Sequence, residues 1–131
     1  MKKLVLITAG LLLLTFYSCQ EPREKTFEKL AKEYTAKCPV TIGEGIRIDS
    51  MIYNPKTNTN SNYYTLSGRI DSPDSIQKKK QYMKDSMIDA VRNSLDLKEY
   101  KDFKTTIEYI YFSGSTEKEL FRVSIDANMY K

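Results

Sequence analysis

The stretch that most constrains this chain is Ser72-Pro73-Asp74 and the residues after it. Ser supplies a cap, Pro fits the first helical turn where its missing N–H is not needed, and Asp favours the positive end of the helix dipole. Ile76, Met83, Met87, Ala90, Val91 and Leu95 then mark one face over about five turns. On either side lie runs that alternate with period two: Ile46–Tyr53 and Tyr63–Ile70 before the helix, Thr105–Phe112 and Glu119–Ala127 after it. Nearer the amino terminus, from Thr26, an amphipathic stripe of Phe27, Leu30, Ala31 and Tyr34 predicts another helix, stopped by Pro39. The order α-ββ-α-ββ predicts an α+β fold, a four-stranded antiparallel sheet with two helices packed on one face. A cystatin-like curved sheet around one helix is the alternative.

Alternation assigns faces. Ile46, Ile48 and Ile52 are expected to point one way, and Arg47, Asp49, Met51 and Tyr53 the other. Asn54–Asn62 has no apolar residue and reads as a long polar loop. Pairing the first two strands about Asn58 sets Arg47 opposite Arg69, with Asp49 diagonal to Arg69 and Tyr53 opposite Tyr63. Pairing the last two sets Tyr109 against Arg122 and Tyr111 against Leu120. Like charges directly opposite need neutralising, so Arg47, Asp49, Arg69, Tyr53, Tyr63, Tyr109 and Arg122 form the candidate binding surface on the face away from the helices. Glu108 falls on the face of Ile110 and Phe112, which implies a bulge or a different register.

The amino terminus settles where the chain is expected to work. Lys2 and Lys3 precede Leu4–Phe16, an apolar run of 13 residues that ends in Tyr17-Ser18-Cys19. A membrane-spanning helix takes about 20 apolar residues, so the run fits a secretory signal better than a span. Phe16-Tyr17-Ser18-Cys19 resembles the lipobox of bacterial lipoprotein precursors, with Ser18 and Cys19 in the matching positions and Phe16 in place of Leu. The resemblance implies a signal peptide over 1–18, a diacylglyceryl (and palmitate-type acyl) group on Cys19, a lipidated tether over 19–25 and one domain over 26–131. Gln20 after the cysteine implies sorting to the outer membrane, facing the periplasm or the surface. Acylation of Cys19 leaves Cys38 as the one remaining thiol.

Composition limits the chemistry. The chain has no histidine, which removes the commonest general base and the commonest transition-metal ligand. Without residues 1–18, 19 basic residues stand against 17 acidic ones. That balance points to neither nucleic acid nor an acidic substrate. Lys78-Lys79-Lys80 and Lys84 read as a solvated helix flank. No serine sits in a nucleophile elbow, and no phosphate loop or metal-ligand spacing occurs, so neither a catalytic residue, a cofactor nor a metal is expected. The chain reads as a lipid-anchored envelope module that binds or assembles with another envelope protein. The alternative is a small inhibitor or chaperone-like module acting on an envelope enzyme.

Overall fold

A computed structural model describes residues 21–131; the expected signal peptide, the lipobox-like Phe16–Cys19 and the expected lipidation site Cys19 lie outside the described residues. Helix α1 (Arg23–Ala36) begins three residues before the expected start at Thr26 and stops short of Pro39. Strands β1 (Val40–Gly43), β2 (Ile46–Asn54) and β3 (Thr59–Leu66) follow, then a 3-10 turn at Gly68–Ile70. Helix α2 (Pro73–Asn93) starts as the sequence demands, with Ser72 Oγ accepting from the Ser75 N–H at 3.3 Å. A short helix α3 (Lys98–Asp102), strands β4 (Thr106–Ser113) and β5 (Glu119–Ile125), and a terminal turn of helix α4 (Ala127–Tyr130) complete the chain. No helix among the described residues is long and apolar enough to cross a membrane.

The α+β class holds, with two differences from the expected sheet. It has five strands in the order β1-β2-β3-β4-β5, the extra one being the short edge strand β1. The central pair β3–β4 is parallel, with Tyr64 beside Tyr111. The connection explains the direction. A 21-residue helix extends about 31 Å, whereas an eight-residue strand covers roughly 26 Å. α2 therefore carries the chain back along the full sheet and delivers β4 to the end where β3 began. Two long helices cover one face, α1 over β2 and α2 over β5, rather than one helix cradled by a curved sheet.

A bulge at Asp49 re-phases β2: Ile48 pairs with Tyr64, but Ser50 pairs with Tyr63. Ile46, Ile48, Met51 and Tyr53 consequently share the helix-bearing face. Tyr53 is 5% exposed beneath Phe27, and Ile52 is 54% exposed on the other side. The main core joins Leu66, Ile76, Val91, Ile107, Phe121, Val123, Ile125 and Tyr130. A smaller cluster of Phe27, Ala31 and Tyr53 seats α1, and Tyr100, stacked 4.2 Å from Phe27, touches both.

The expected long loop contracts to Pro55–Asn58. Asn58 is an internal clasp, not a loop tip: Oδ1 accepts from the Tyr53 hydroxyl (2.9 Å) and Thr105 Oγ1 (2.8 Å), and Nδ2 donates to the Phe103 carbonyl (3.0 Å). Its φ of 46° suits asparagine better than most side chains. Asn58→Ala is expected to lower unfolding free energy by about 2 kcal/mol, from orphaned partners and a strained backbone. Urea denaturation checks this, and Asn58→Gly should restore only the backbone part.

Candidate functional site

The sheet separates the seven candidate binding residues. Arg47, Asp49 and Tyr63 do meet on the open face, in a shallow groove with Thr65 and Phe112. Arg47 pairs with Thr65, not Arg69, and Asp49 bonds both: Arg47 Nε donates to Oδ1 at 2.6 Å and Thr65 Oγ1 to Oδ2 at 2.5 Å. Arg122 lies on the same face but opposite Ile110, while Tyr109 pairs with Val123 and Tyr111 with Phe121 on the helix-bearing face. Tyr53 is buried under α1, so it faces away from Tyr63. Arg69 sits in the 3-10 turn outside the sheet.

The open face satisfies its own charges. Glu108 Oε1 accepts from Ser61 Oγ (3.0 Å) and Arg122 Nη1 (3.2 Å), and its Oε2 accepts from Ser124 Oγ (2.7 Å). Arg122 also forks onto Glu119 through Nε and Nη2 at 2.9 and 3.1 Å. These are cross-strand ladders that pin three strands together. Glu108 thus needs no bulge to explain it: β4 presents Glu108, Ile110 and Phe112 outward and Ile107, Tyr109 and Tyr111 inward. Ile110, between Tyr63 and Arg122 in register, is nevertheless fully buried.

The helix-bearing face holds the more open chemistry. α1 and α2 pack on opposite margins, and between these the central strands present Tyr64 of β3 and Tyr109 and Tyr111 of β4, all half-buried. Tyr64 stacks on Tyr111 with ring centres 4.7 Å apart and lies 6.2 Å from Tyr109. The hydroxyls of Tyr53 and Tyr130 have protein partners; among the described residues those of Tyr64, Tyr109 and Tyr111 have none. Tyr111 borders an apolar cleft of about 360 Å³, walled by Ile46, Leu66, Ile70, Ile76 and Met83 and rimmed by Arg69 and Lys79. Arg69 meets Glu44 only at 3.7 Å with both side chains about 90% exposed, a pair of negligible strength. The rim is therefore cationic.

Burial raises all three phenols. For Tyr64 the largest cause is desolvation, followed by Tyr111, Tyr109 and then Tyr34 of α1. Tyr111 is pushed up to about 12 by burial and then by Tyr109, and Tyr109 rises by burial. The three remain neutral donors at any physiological pH. Sequence patterning missed Tyr64, Tyr111, Met83 and Lys79 as a group because only the parallel register places Tyr64 against Tyr111. The available signal was ten tyrosines without a tryptophan. Among the described residues, no group of three potential ligands is placed to hold a metal ion.

These features define a small α+β domain with an apolar cleft between α2 and a mixed five-stranded sheet, bordered by Tyr111. The chain belongs to the DUF8479 family, a domain of unknown function, whose model matches residues 22–121. No curated protein matches it in sequence. Its fold is similar to that of a Pseudomonas aeruginosa protein designated as secreted (TM-score 0.71, 17% identity, 82% of this chain and 92% of that one). It is also similar to EpsS, the pilotin of the Vibrio vulnificus type 2 secretion system (TM-score 0.62, 9% identity, 82% and 91%).

The tyrosine shifts set an alkaline limit on stability. Unfolded phenols lose protons from about pH 10, whereas Tyr111 in the fold holds its proton to about 12. The folded state binds more protons across that window, so stability is full below pH 10 and falls as pH rises towards 12. Urea midpoints measured across this range should drop, and Tyr111→Phe should make the drop shallower.

Proposed function

We propose that this chain is a lipid-anchored envelope assembly module, non-catalytic, that binds an apolar, acidic segment of another envelope component in the tyrosine cleft. The observation that carries the reading is the cleft itself, apolar, bordered by Tyr111 and rimmed by Arg69 and Lys79, beside Tyr64 and Tyr109; among the described residues the three phenol hydroxyls have no partner. Tyrosine supplies contact area and a hydrogen bond together, which is why it concentrates at binding surfaces. The likeness to a secreted protein and to a secretion-system pilotin supports an envelope setting. The lipobox-like Phe16–Cys19 supports a lipid on Cys19, and Gln20 supports outer-membrane sorting. α1 starts at Arg23. Four residues extend to about 14 Å at most, so such a lipid would hold the domain close to the bilayer. An inhibitor that inserts a long loop finds less support, because the loop is short and Asn58 is engaged inside the fold.

Two experiments test this. Cys19→Ala should move the protein from the membrane to the soluble fraction of a cell lysate; unchanged membrane retention refutes the anchor. For the cleft, a photoreactive phenylalanine analogue at Ile70 should cross-link to one discrete envelope protein in intact cells. Arg69→Glu with Lys79→Glu should cut that yield at least tenfold, and Arg47→Ala on the open face should leave it unchanged. The reverse pattern would assign binding to the open face.

A further inference from the structure

A second surface, on the far flank of α1 from the cleft, carries hydrogen-bonding groups in the geometry of a missing strand. β1 pairs with β2 only through Ile46, Arg47 and Ile48, after which its chain turns away into α1. From Met51 to Asn54 the outer side of β2 has no strand neighbour among the described residues. In an antiparallel ladder alternate residues direct both backbone groups to the same side. Met51 shows which side: its N–H donates to Thr35 Oγ1 at 2.9 Å, and its carbonyl accepts from the same hydroxyl at 2.8 Å. Thr35 thus stands in for one residue of a neighbouring strand. Two residues on, Tyr53 points its N–H and C=O the same way, and among the described residues nothing meets them.

Space exists for a chain at this edge. An open groove of about 630 Å³ runs between α1 and the edge, floored by Ala31, Ala36, Met51 and Tyr53, with Glu28 and Lys32 at its rim. On the other side of the same edge Ile52 is 54% exposed. We infer that the Met51–Asn54 edge of β2 accepts an extended peptide segment of a partner protein as a sixth strand, lodged between α1 and the sheet. Backbone bonds to Tyr53, and to Met51 once Thr35 is displaced, supply the pairing; alternate side chains enter the groove or cover Ile52. The alanine and methionine floor selects a small or apolar residue at the inward position. Glu28 and Lys32 cancel, so the segment carries no charge there. A second copy of this domain does not fit. Its β2 edge brings its own α1, with Thr35 bonded across Met51, to the same place. A free extended segment has no such obstruction.

The mature chain from Cys19 onward, in detergent, is panned against displayed random octapeptides, and the selected octapeptide is titrated by NMR. Bound peptide should slow exchange of the Tyr53 amide at least tenfold and shift resonances of Met51–Asn54 and of Glu28–Ala36. Methylating alternate peptide amides should abolish binding, and methylating the intervening ones should not. Ala36→Arg should weaken binding at least tenfold; Ala36 is exposed in the last turn of α1, where a cation suits the helix dipole, so the fold is expected to survive. Arg69→Glu with Lys79→Glu should leave this binding intact, which separates the edge from the cleft. The inference is overturned if no octapeptide is enriched, if affinity ignores the methylation pattern, or if Ala36→Arg binds as well as the parent chain. Self-association abolished by Ala36→Arg would assign the edge to a second copy and overturn it too.

Discussion

The length of α2 relative to the strands beneath it governs this molecule. A connection of 39 residues, Ser67 to Thr105, has to return across the face of the sheet, and its 21-residue helix spans that distance in one pass. Once it does, β4 must run parallel to β3, and Tyr64 comes to lie against Tyr111 and near Tyr109. The same pass drops α2 onto β5 while α1 remains on β2, so the centre of the sheet is the part left partly uncovered. Topology, more than any single side chain, makes the cleft.

Two smaller devices make that topology work. The Asp49 bulge turns Met51 and Tyr53 towards α1, giving the first helix an apolar seat it would otherwise lack. Asp49 itself, left out of the pairing, is held by Arg47 and Thr65. At the opposite end Asn58 ties the β2–β3 turn to Phe103 and Thr105, at the point where the crossover chain re-enters the sheet. Gly45 closes the other end with φ of +75°, where a Cβ would stand 2.5 Å from the Ser67 carbonyl.

What was legible in the sequence follows from how local each signal is. The Ser72-Pro73 start and the stripe of Phe27 and Ala31 are properties of single segments and are readable, and the placement of both helices on one face follows from the element order. Strand direction is not readable, because period-two patterns look alike in either orientation. β1 was missed because Val40–Gly43 is short and exposed throughout, leaving no alternation to find. The faces of β4 were inverted because a central strand buries residues on both sides, and Ile110 looks as much like core as Ile107 does. The expected pairing of Arg47 with Arg69 failed for a similar reason: β3 stops at Leu66, three residues before Arg69. Of the candidate site, Tyr109 and Arg69 were named, but for a surface that does not contain them.

The two sides of the sheet consequently differ in what they have left to offer. On the open face Arg47, Glu108 and Arg122 are bonded to neighbours on the same or adjacent strands, and a ligand there would have to replace bonds already made. Replacing a satisfied bond yields little net free energy. On the helix-bearing side the three phenols and the cations at Arg69 and Lys79 have no comparable partners among the described residues, so a contact made there would add to what water alone provides. At the level of the backbone, Tyr53 on the β2 edge belongs to this second category among the described residues, whereas Met51 is already bonded to Thr35. The proposed binding surfaces therefore lie where the helices fail to meet the sheet fully, and the charged face that looks most eventful in sequence is the one that holds the strands together.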